Sequence, residues 1–347
     1  MPKTSKLPSF DEYYSRQTVL KELGKKGQRK LARSKVAVVG IGGLGTASSL
    51  YLGLAGVGHL RLIDQDIIEL ANLHRQILYS PEDLRYPKAE VSAKRLRKMN
   101  PLVKVEPVSE NLNVNNVEQL LAGMDCVVDG LDNMRTRYLV NRTCVKLRIP
   151  YVFGAAIGIE GNLSVFAVPE TPCLECILPD VNDDDMQTCD LRGVLGATAG
   201  IIGTMQALET IKVLTGVGSP LKSKLMICDF ADMYFTTIDI FTRNNCPTCQ
   251  GNVAKPERKE KLAWLCGRET ANINPEEPLS MGLSEAYQLI KQHFEVRIKS
   301  KLAIIFNYRT FEITLFASGR MLIKNVKSEK SALDVYNDVR KKLDEGR

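Results

Sequence analysis

The run Gly40-Ile41-Gly42-Gly43-Leu44-Gly45 sets Gly40, Gly42 and Gly45 in a GxGxxG spacing. Glycines let the backbone approach a phosphate, and a helix starting behind them adds unpaired N–H donors and the positive end of a dipole. The context is the one this chemistry needs. The apolar run Lys35-Val36-Ala37-Val38-Val39 reads as a buried strand before the loop, and a helix is predicted after it to about Gly56. A second strand, His59 to Ile63, ends in Asp64-Gln65-Asp66, and Asp64 stands 19 positions after Gly45, where such folds hold a ribose hydroxyl. The loop alone favours NAD(P) or FAD.

The polar residues further along favour different chemistry. Asn72-Leu73-His74-Arg75-Gln76 is followed by Pro87-Lys88 at a helix start and by Asp132-Asn133 after a strand at 125–129. In a doubly wound sheet each falls near the C-terminal ends of strands, around one crevice. Hydride transfer needs no such set of cations and carboxylates. Nucleotidyl transfer does, because cations neutralise charge on the α-phosphate and an aspartate such as Asp132 can hold the magnesium that escorts pyrophosphate. Each residue alone reads as surface polarity; together they favour phosphate chemistry.

Nine cysteines in a chain of 347 residues with no signal peptide point to metal or catalysis, not to a disulfide framework. Cys173-Leu174-Glu175-Cys176 and Cys246-Pro247-Thr248-Cys249 form two CxxC pairs suited to a closed, structural zinc. Such a site would staple a crossover loop to the end of the main domain. Redox pairs, or two unrelated pairs, are the alternatives. Cys126, Cys144 and Cys228 lie in apolar patterns and read as core. Cys189 follows the acidic run Asp183-Asp184-Asp185 and precedes a glycine-rich helix beginning near Val194. A thiol there could be an idle loop cysteine, or a nucleophile that captures an acyl group as a thioester or an acyl persulfide.

The elements that must position these groups follow from periodicity. An amphipathic helical lead-in is expected over 11–33. Beyond the first βαβ unit, helix 88–99 stops at Asn100-Pro101, and strand 103–108, helix 115–122, strand 125–129, helix 133–147 and strand 151–153 continue the alternation. Glycine-punctuated β structure at 154–168, a loop at 169–192 and a helix at 194–214 complete a domain over 1–250. A polar linker is expected at 251–262, and a small C-terminal α+β domain at 263–347. The fold class is α/β: a doubly wound, mostly parallel Rossmann-like sheet with that small module appended. Of the net charge of +7, +5 lies beyond residue 250, where 18 Lys and Arg face 13 Asp and Glu. A solvated surface explains this more simply than an acidic partner does. The tail's basic positions lack interleaved aromatic residues, which argues against a nucleic-acid module. No apolar run reaches membrane-spanning length, so a cytoplasmic protein is expected.

Arg16-Gln17, VVGIGGLG, IDQD, NLHRQ, PK, LDN and the two CxxC pairs flanking Cys189 together resemble the MoeB/ThiF/HesA family, prokaryotic relatives of ubiquitin-activating enzymes, over roughly 10–250. The resemblance implies attack by the C-terminal glycine carboxylate of a ubiquitin-fold protein on ATP, giving an acyl-adenylate and pyrophosphate. It places ATP contacts on Gly43, Asp64, Asn72, Arg75, Lys88, Asp132 and Asn133, and it implies a homodimer in which Arg16 reaches the neighbouring site. Three departures stand out: Arg85-Tyr86 before Pro-Lys where Gly is usual, His74 where Gln or Asn is common, and Asp190-Leu191-Arg192 after Cys189 in place of small residues. The last favours a thioester enzyme feeding protein conjugation, with a possible conjugating enzyme as partner. Activation of a sulfur-carrier protein for molybdopterin, thiamine or tRNA-thiolation chemistry is the alternative, and an NAD(P)-dependent oxidoreductase a distant one. No rhodanese domain is recognisable, so the sulfur is expected to be carried elsewhere.

Overall fold

The computed structural model describes residues 8–183, 193–252, 262–264, 269–275 and 279–344. The lead-in is three helices, not one: α1 (Phe10–Tyr13), α2 (Ser15–Thr18) and α3 (Gly24–Arg33). It breaks because Tyr14 turns inward. Its ring closes over Gly56, where a Cβ would lie 2.5 Å from the ring, and its hydroxyl accepts from Asn100 Nδ2 at 2.7 Å.

The chain then winds through β1 (Lys35–Val39), α4 (Gly43–Ala55), β2 (His59–Ile63), α5 (Lys88–Met99), β3 (Lys104–Val108), α6 (Val117–Leu121), β4 (Cys126–Asp129) and α7 (Met134–Leu147). It continues through β5 (Tyr151–Ile157), β6 (Glu160–Phe166), α8 (Leu174–Ile177), α9 (Gly196–Thr215), β7 (Lys224–Asp229) and β8 (Tyr234–Asp239). These strands form one sheet in the order β3-β2-β1-β4-β5-β6-β7-β8, parallel through β5 and antiparallel beyond it. Parallel strands are covered on both faces, which is why β1 is apolar and buried from Val36 onward. Its Val36 and Val38 enter one core with Leu60, Leu62 and Val128, while Ala37 and Val39 enter the other with Ile63 and Val127.

Local chemistry fixes the helix ends. Asn133 caps α7 by accepting from the Thr136 N–H at 2.9 Å, and α5 stops at Asn100-Pro101. Helix α9 lies against α4 so closely that a Cβ on Gly203 would come within 2.3 Å of the Leu44 carbonyl. Cys126, Cys144 and Cys228 are buried, as their apolar surroundings indicate.

A second, antiparallel sheet follows: β9 (Leu262–Trp264), β10 (Thr270–Ile273), β11 (Glu295–Lys299), β12 (Ala303–Tyr308), β13 (Phe311–Phe316) and β14 (Met321–Lys324), in the order β11-β12-β13-β14-β10-β9. Helices α10 (Leu283–His293) and α11 (Glu329–Asp344) share its core through Ala286, Ile290, Ala332, Val335 and Val339. Most of the expected linker, 253–261, lies outside the described residues. Among the described residues no helix is long and apolar enough to cross a membrane.

Candidate functional site

Strand order reverses between β1 and β4, and the loops leaving their C-terminal ends form the crevice. Gly40, at φ +86°, turns the chain out of β1, and a Cβ on Gly45 would lie 1.9 Å from the Gly40 carbonyl. Across the crevice Gly130 approaches just as closely, since its Cβ would lie 2.1 Å from the same carbonyl. Sequence reading did not single out Gly130, whose constraint comes from a contact 90 positions away in the chain.

Asp64 directly follows β2 and is buried. Its Oδ2 accepts from the Ile41 N–H in the glycine loop at 2.6 Å, and its Oδ1 accepts from the Asp66 N–H at 2.7 Å. Burial pushes its carboxyl up to about 6, against the pull of Lys88. Lys88 opens α5 with its ammonium 2.9 Å from Asp66 Oδ2 and only 7% exposed. Burial works against that charge, but Asp66, Asp64 and Asp132 together outweigh it and hold the amine above its ordinary range. The lysine is therefore a fixed cation among three carboxylates. The exposed Asp132 accepts from Asn133 Nδ2 at 3.2 Å on the far side of the crevice.

The segment 72–76 is laid against the glycine loop. Asn72 is buried and folds its own turn, accepting from the Glu69 N–H at 3.1 Å. Leu73 packs against the core beneath it. A Cβ placed on Gly43 would lie 3.8 Å from Arg75 Cδ, and one on Gly42 would lie 3.9 Å from Gln76 Nε2. Arg75 donates to the Ala71 carbonyl at 2.7 Å. Gln76 is buried with its Oε1 unpartnered in the protein, an orphaned acceptor beside the phosphate-sized loop. These contacts link Gly40, Gly42, Gly43 and Gly45 to Asp64, Asp66, Arg75, Gln76 and Lys88, with Asp132 and Asn133 near the lysine, while Asn72 and Leu73 serve the turn and the core beneath it. Arg16 stands apart, exposed on α2, while Gln17 beside it donates to Gln28 Oε1 at 2.9 Å and the Ala55 carbonyl at 3.1 Å. Gln17 anchors the helix and Arg16 faces outward.

Behind the crevice lies a buried pair that the sequence did not announce. Asp129 accepts from Arg137 Nε at 3.1 Å, the Tyr151 hydroxyl at 2.6 Å and the Leu131 N–H at 2.8 Å. Arg137 also donates to the carbonyls of Leu131 and Gly154 at 2.7 and 3.0 Å, so the pair fixes the backbone leading to Asp132.

The four cysteines of the two CxxC pairs converge. Cys173, Cys176, Cys246 and Cys249 place their sulfurs within 4.8 Å of one another, with three of the separations at 3.8, 3.7 and 3.5 Å. A tetrahedron with metal–sulfur bonds of about 2.3 Å has edges of roughly 3.8 Å, so the set fits zinc. The two inner residues bind each other: Thr248 donates to Glu175 Oε2 at 2.6 Å, and Glu175 also accepts from Asn141 and Arg142. Cys189, Asp190, Leu191, Arg192 and Cys266 lie outside the described residues.

Fold and site together define a doubly wound α/β domain with a glycine loop at its switch point and a four-thiol knuckle. Residues 14–249 match the model of the ThiF family, and the chain belongs to that family. It is 41% identical over 237 residues to the SAMP-activating enzyme E1 of Haloferax volcanii, covering 68% of this chain and 87% of that protein. It is 39% identical over 244 residues to the sulfur carrier protein ThiS adenylyltransferase of Escherichia coli, covering 70% of this chain and 96% of that one. With the adenylyltransferase and sulfurtransferase MOCS3 of Drosophila sechellia the identity is 38% over 294 residues, covering 84% of this chain but only 64% of the fly protein. The crystal structure of E. coli MccB with ATP shares the fold, with a TM-score of 0.61 at 23% identity over 70% of this chain and 77% of that one.

Proposed function

We propose that this protein adenylates the C-terminal glycine carboxylate of a small ubiquitin-fold carrier protein with ATP. The observation that carries the proposal is a buried lysine: Lys88 is held 2.9 Å from Asp66, with Asp64 and Asp132 close by, beside the glycine loop. In this role Asp64 accepts a ribose hydroxyl, and the N–H groups behind Gly42 and Gly43 face the phosphates. Lys88 and Arg75, joined by Arg16 from a second protomer of a homodimer, stabilise charge at the α-phosphorus. A carboxylate oxygen of the carrier attacks that phosphorus, the bond to pyrophosphate breaks, and an acyl-adenylate forms. Asp132 would hold a magnesium ion, which neutralises the departing pyrophosphate. The four cysteines would hold a zinc ion, whose contribution is structural.

Between the two fates of the adenylate, the names of the relatives turn the balance. The sequence favoured a thioester feeding protein conjugation. Relatives named for sulfur-carrier activation support the other course, in which a sulfur nucleophile attacks the acyl carbon and AMP leaves. The test is ATP–pyrophosphate exchange. Exchange should require a small carrier protein ending in Gly-Gly and should vanish in Lys88→Ala. Exchange that ignores the carrier, or reduction of NAD(P) in its place, would overturn the proposal.

A further inference from the structure

The antiparallel module seats mainly on residues 65–90 of the main domain and reaches Ser109 as well, and the first of these stretches carries several crevice residues. Ile67 is enclosed by Ala303, Phe316 and Leu322. Lys324 pairs with Glu69 at 2.9 Å, Arg85 with Glu312 at 3.2 Å, and Glu90 accepts from the N–H groups of Lys301 and Leu302 at 3.1 and 3.2 Å. Asn72, Arg75, Gln76 and Lys88 lie between these anchors in the chain, and Asp66 directly precedes the first of them.

At the centre of the contact is Arg320, 2% exposed. It donates through Nη1 to Asn272 Oδ1 at 2.9 Å, and through Nη2 to the carbonyls of Gln65 at 2.6 Å and Ser109 at 3.3 Å. Its guanidinium lies 3.6 Å from the centroid of Phe316. Gln65 and Ser109 stand just past the ends of β2 and β3, so one side chain bridges both strand ends at the crevice rim. Among the described residues no carboxylate bonds directly to this guanidinium, so its burial is expensive, and an apolar residue would seal a packing surface at lower cost. Burial lowers its pKa to about 9, while Asp66, Asp64 and Glu110 pull the other way. The site's own acids are therefore its counter-charge.

We infer that Arg320 is a positioning residue for the nucleotide site: it fixes the turn Asp64-Gln65-Asp66 from behind and places a buried positive charge at the back of the two carboxylates. The C-terminal module is then a working part of the adenylation site. The inference rests on the crevice binding ATP.

The experiment titrates ATP alone, without carrier, into the full-length protein by calorimetry, with melting curves of each variant alongside. Arg320→Ala should bind ATP about tenfold more weakly while melting as one folded unit, the scale expected for losing a charge-assisted contact. Arg320→Lys, which keeps the charge but not the fork, should recover part of that loss. Arg85→Ala loosens only the exposed rim of the same docking face and should leave ATP affinity unchanged. If Arg320→Ala does not fold, Arg320→Lys and Asn272→Ala decide, each expected to weaken ATP binding about threefold. Wild-type affinity in the folded Arg320 variants, or an equal loss in Arg85→Ala, overturns the inference alone. A wild type that binds no ATP overturns the nucleotide proposal and this inference with it.

Discussion

The crevice and the cysteine knuckle both collect residues scattered along the chain, but they balance their charges differently. In the crevice the protein supplies both signs, with Lys88 set among Asp64, Asp66 and Asp132. Removing one exposed member leaves a folded domain with damaged chemistry. The knuckle supplies only sulfur ligands, and the proposed zinc would supply its positive charge. Removing one cysteine there strands the other three, so the damage falls on folding. Function tolerates redundancy poorly in the first region, and stability does so in the second.

The largest expected effect tests the second half of that contrast. Elemental analysis should find one zinc per chain, and Cys173→Ala or Cys249→Ala should lower the melting temperature by more than about 10 °C, because metal binding is coupled to folding. A metal-free protein of full stability would remove the zinc assignment. Next, Asp132→Ala should cut pyrophosphate exchange about 100-fold or more and move the melting temperature by no more than about 2 °C. A variant that loses stability and keeps exchange would erase the contrast between the regions.

A smaller effect separates protomers. Arg16→Ala and Lys88→Ala homodimers should both be poor in exchange, and a fully exchanged equal mixture should recover about a quarter of wild-type activity, since one hybrid site in each mixed dimer is intact. No recovery despite proven subunit exchange would place Arg16 in its own chain's site.

The pH dependence follows from Asp64. Its folded pKa of about 6 lies above the ordinary value of 3.8, so the fold prefers its neutral form. For this group alone, stability is greatest in acid and falls as pH rises from about 4 to about 6. ATP binding has the opposite sign, because only the ionised carboxylate is a full acceptor for a ribose hydroxyl. Affinity should fall by up to about tenfold per pH unit below pH 6, and Asp64→Asn should bind weakly without that acid limb. An unchanged limb in Asp64→Asn would assign it to another group.

The smallest effect on adenylation belongs to Cys189. Cys189→Ala should keep exchange within about twofold, because adenylation needs only the nucleotide site. With ATP and a Gly-Gly carrier, a denaturant-resistant, thiol-labile adduct on the wild type that this variant lacks would favour the thioester course over sulfur-carrier activation. Survival of the adduct would move the acceptor to another thiol, such as Cys266.

What the sequence made legible were the features written in local spacing. The glycine loop, Asp64, the Pro87-Lys88 start of α5 and the CxxC pairs are all short patterns with a direct physical reason. Asn100-Pro101 even fixed the end of α5. What stayed hidden depends on distant partners. Gly130 is constrained by Gly40, Arg137 by Asp129 and Tyr151, Glu175 by Thr248, and Arg320 by Gln65. None of these pairs has a local signature. Strand β8 escaped for another reason. Five of its six residues are exposed, so no alternation marks it, and the apolar run of β7 read only as core. The lead-in failed as a single helix because Tyr14 is spent on Gly56, a contact that helical periodicity cannot show.

The knuckle also sets a clock. Cys246 follows Cys173 by 73 positions, and between the two pairs the ribosome must deliver α9, β7 and β8. At about 5 to 20 residues per second, the first pair of thiols waits roughly 4 to 15 seconds for the second. If the four thiols take up zinc as proposed, closing that site ties off a ring that contains the helix packed on α4 and the last two strands of the large sheet. A newborn chain can bring all four sulfurs together only after everything inside the ring has been made, so tight capture of the proposed zinc would report that the last strands of the sheet are complete.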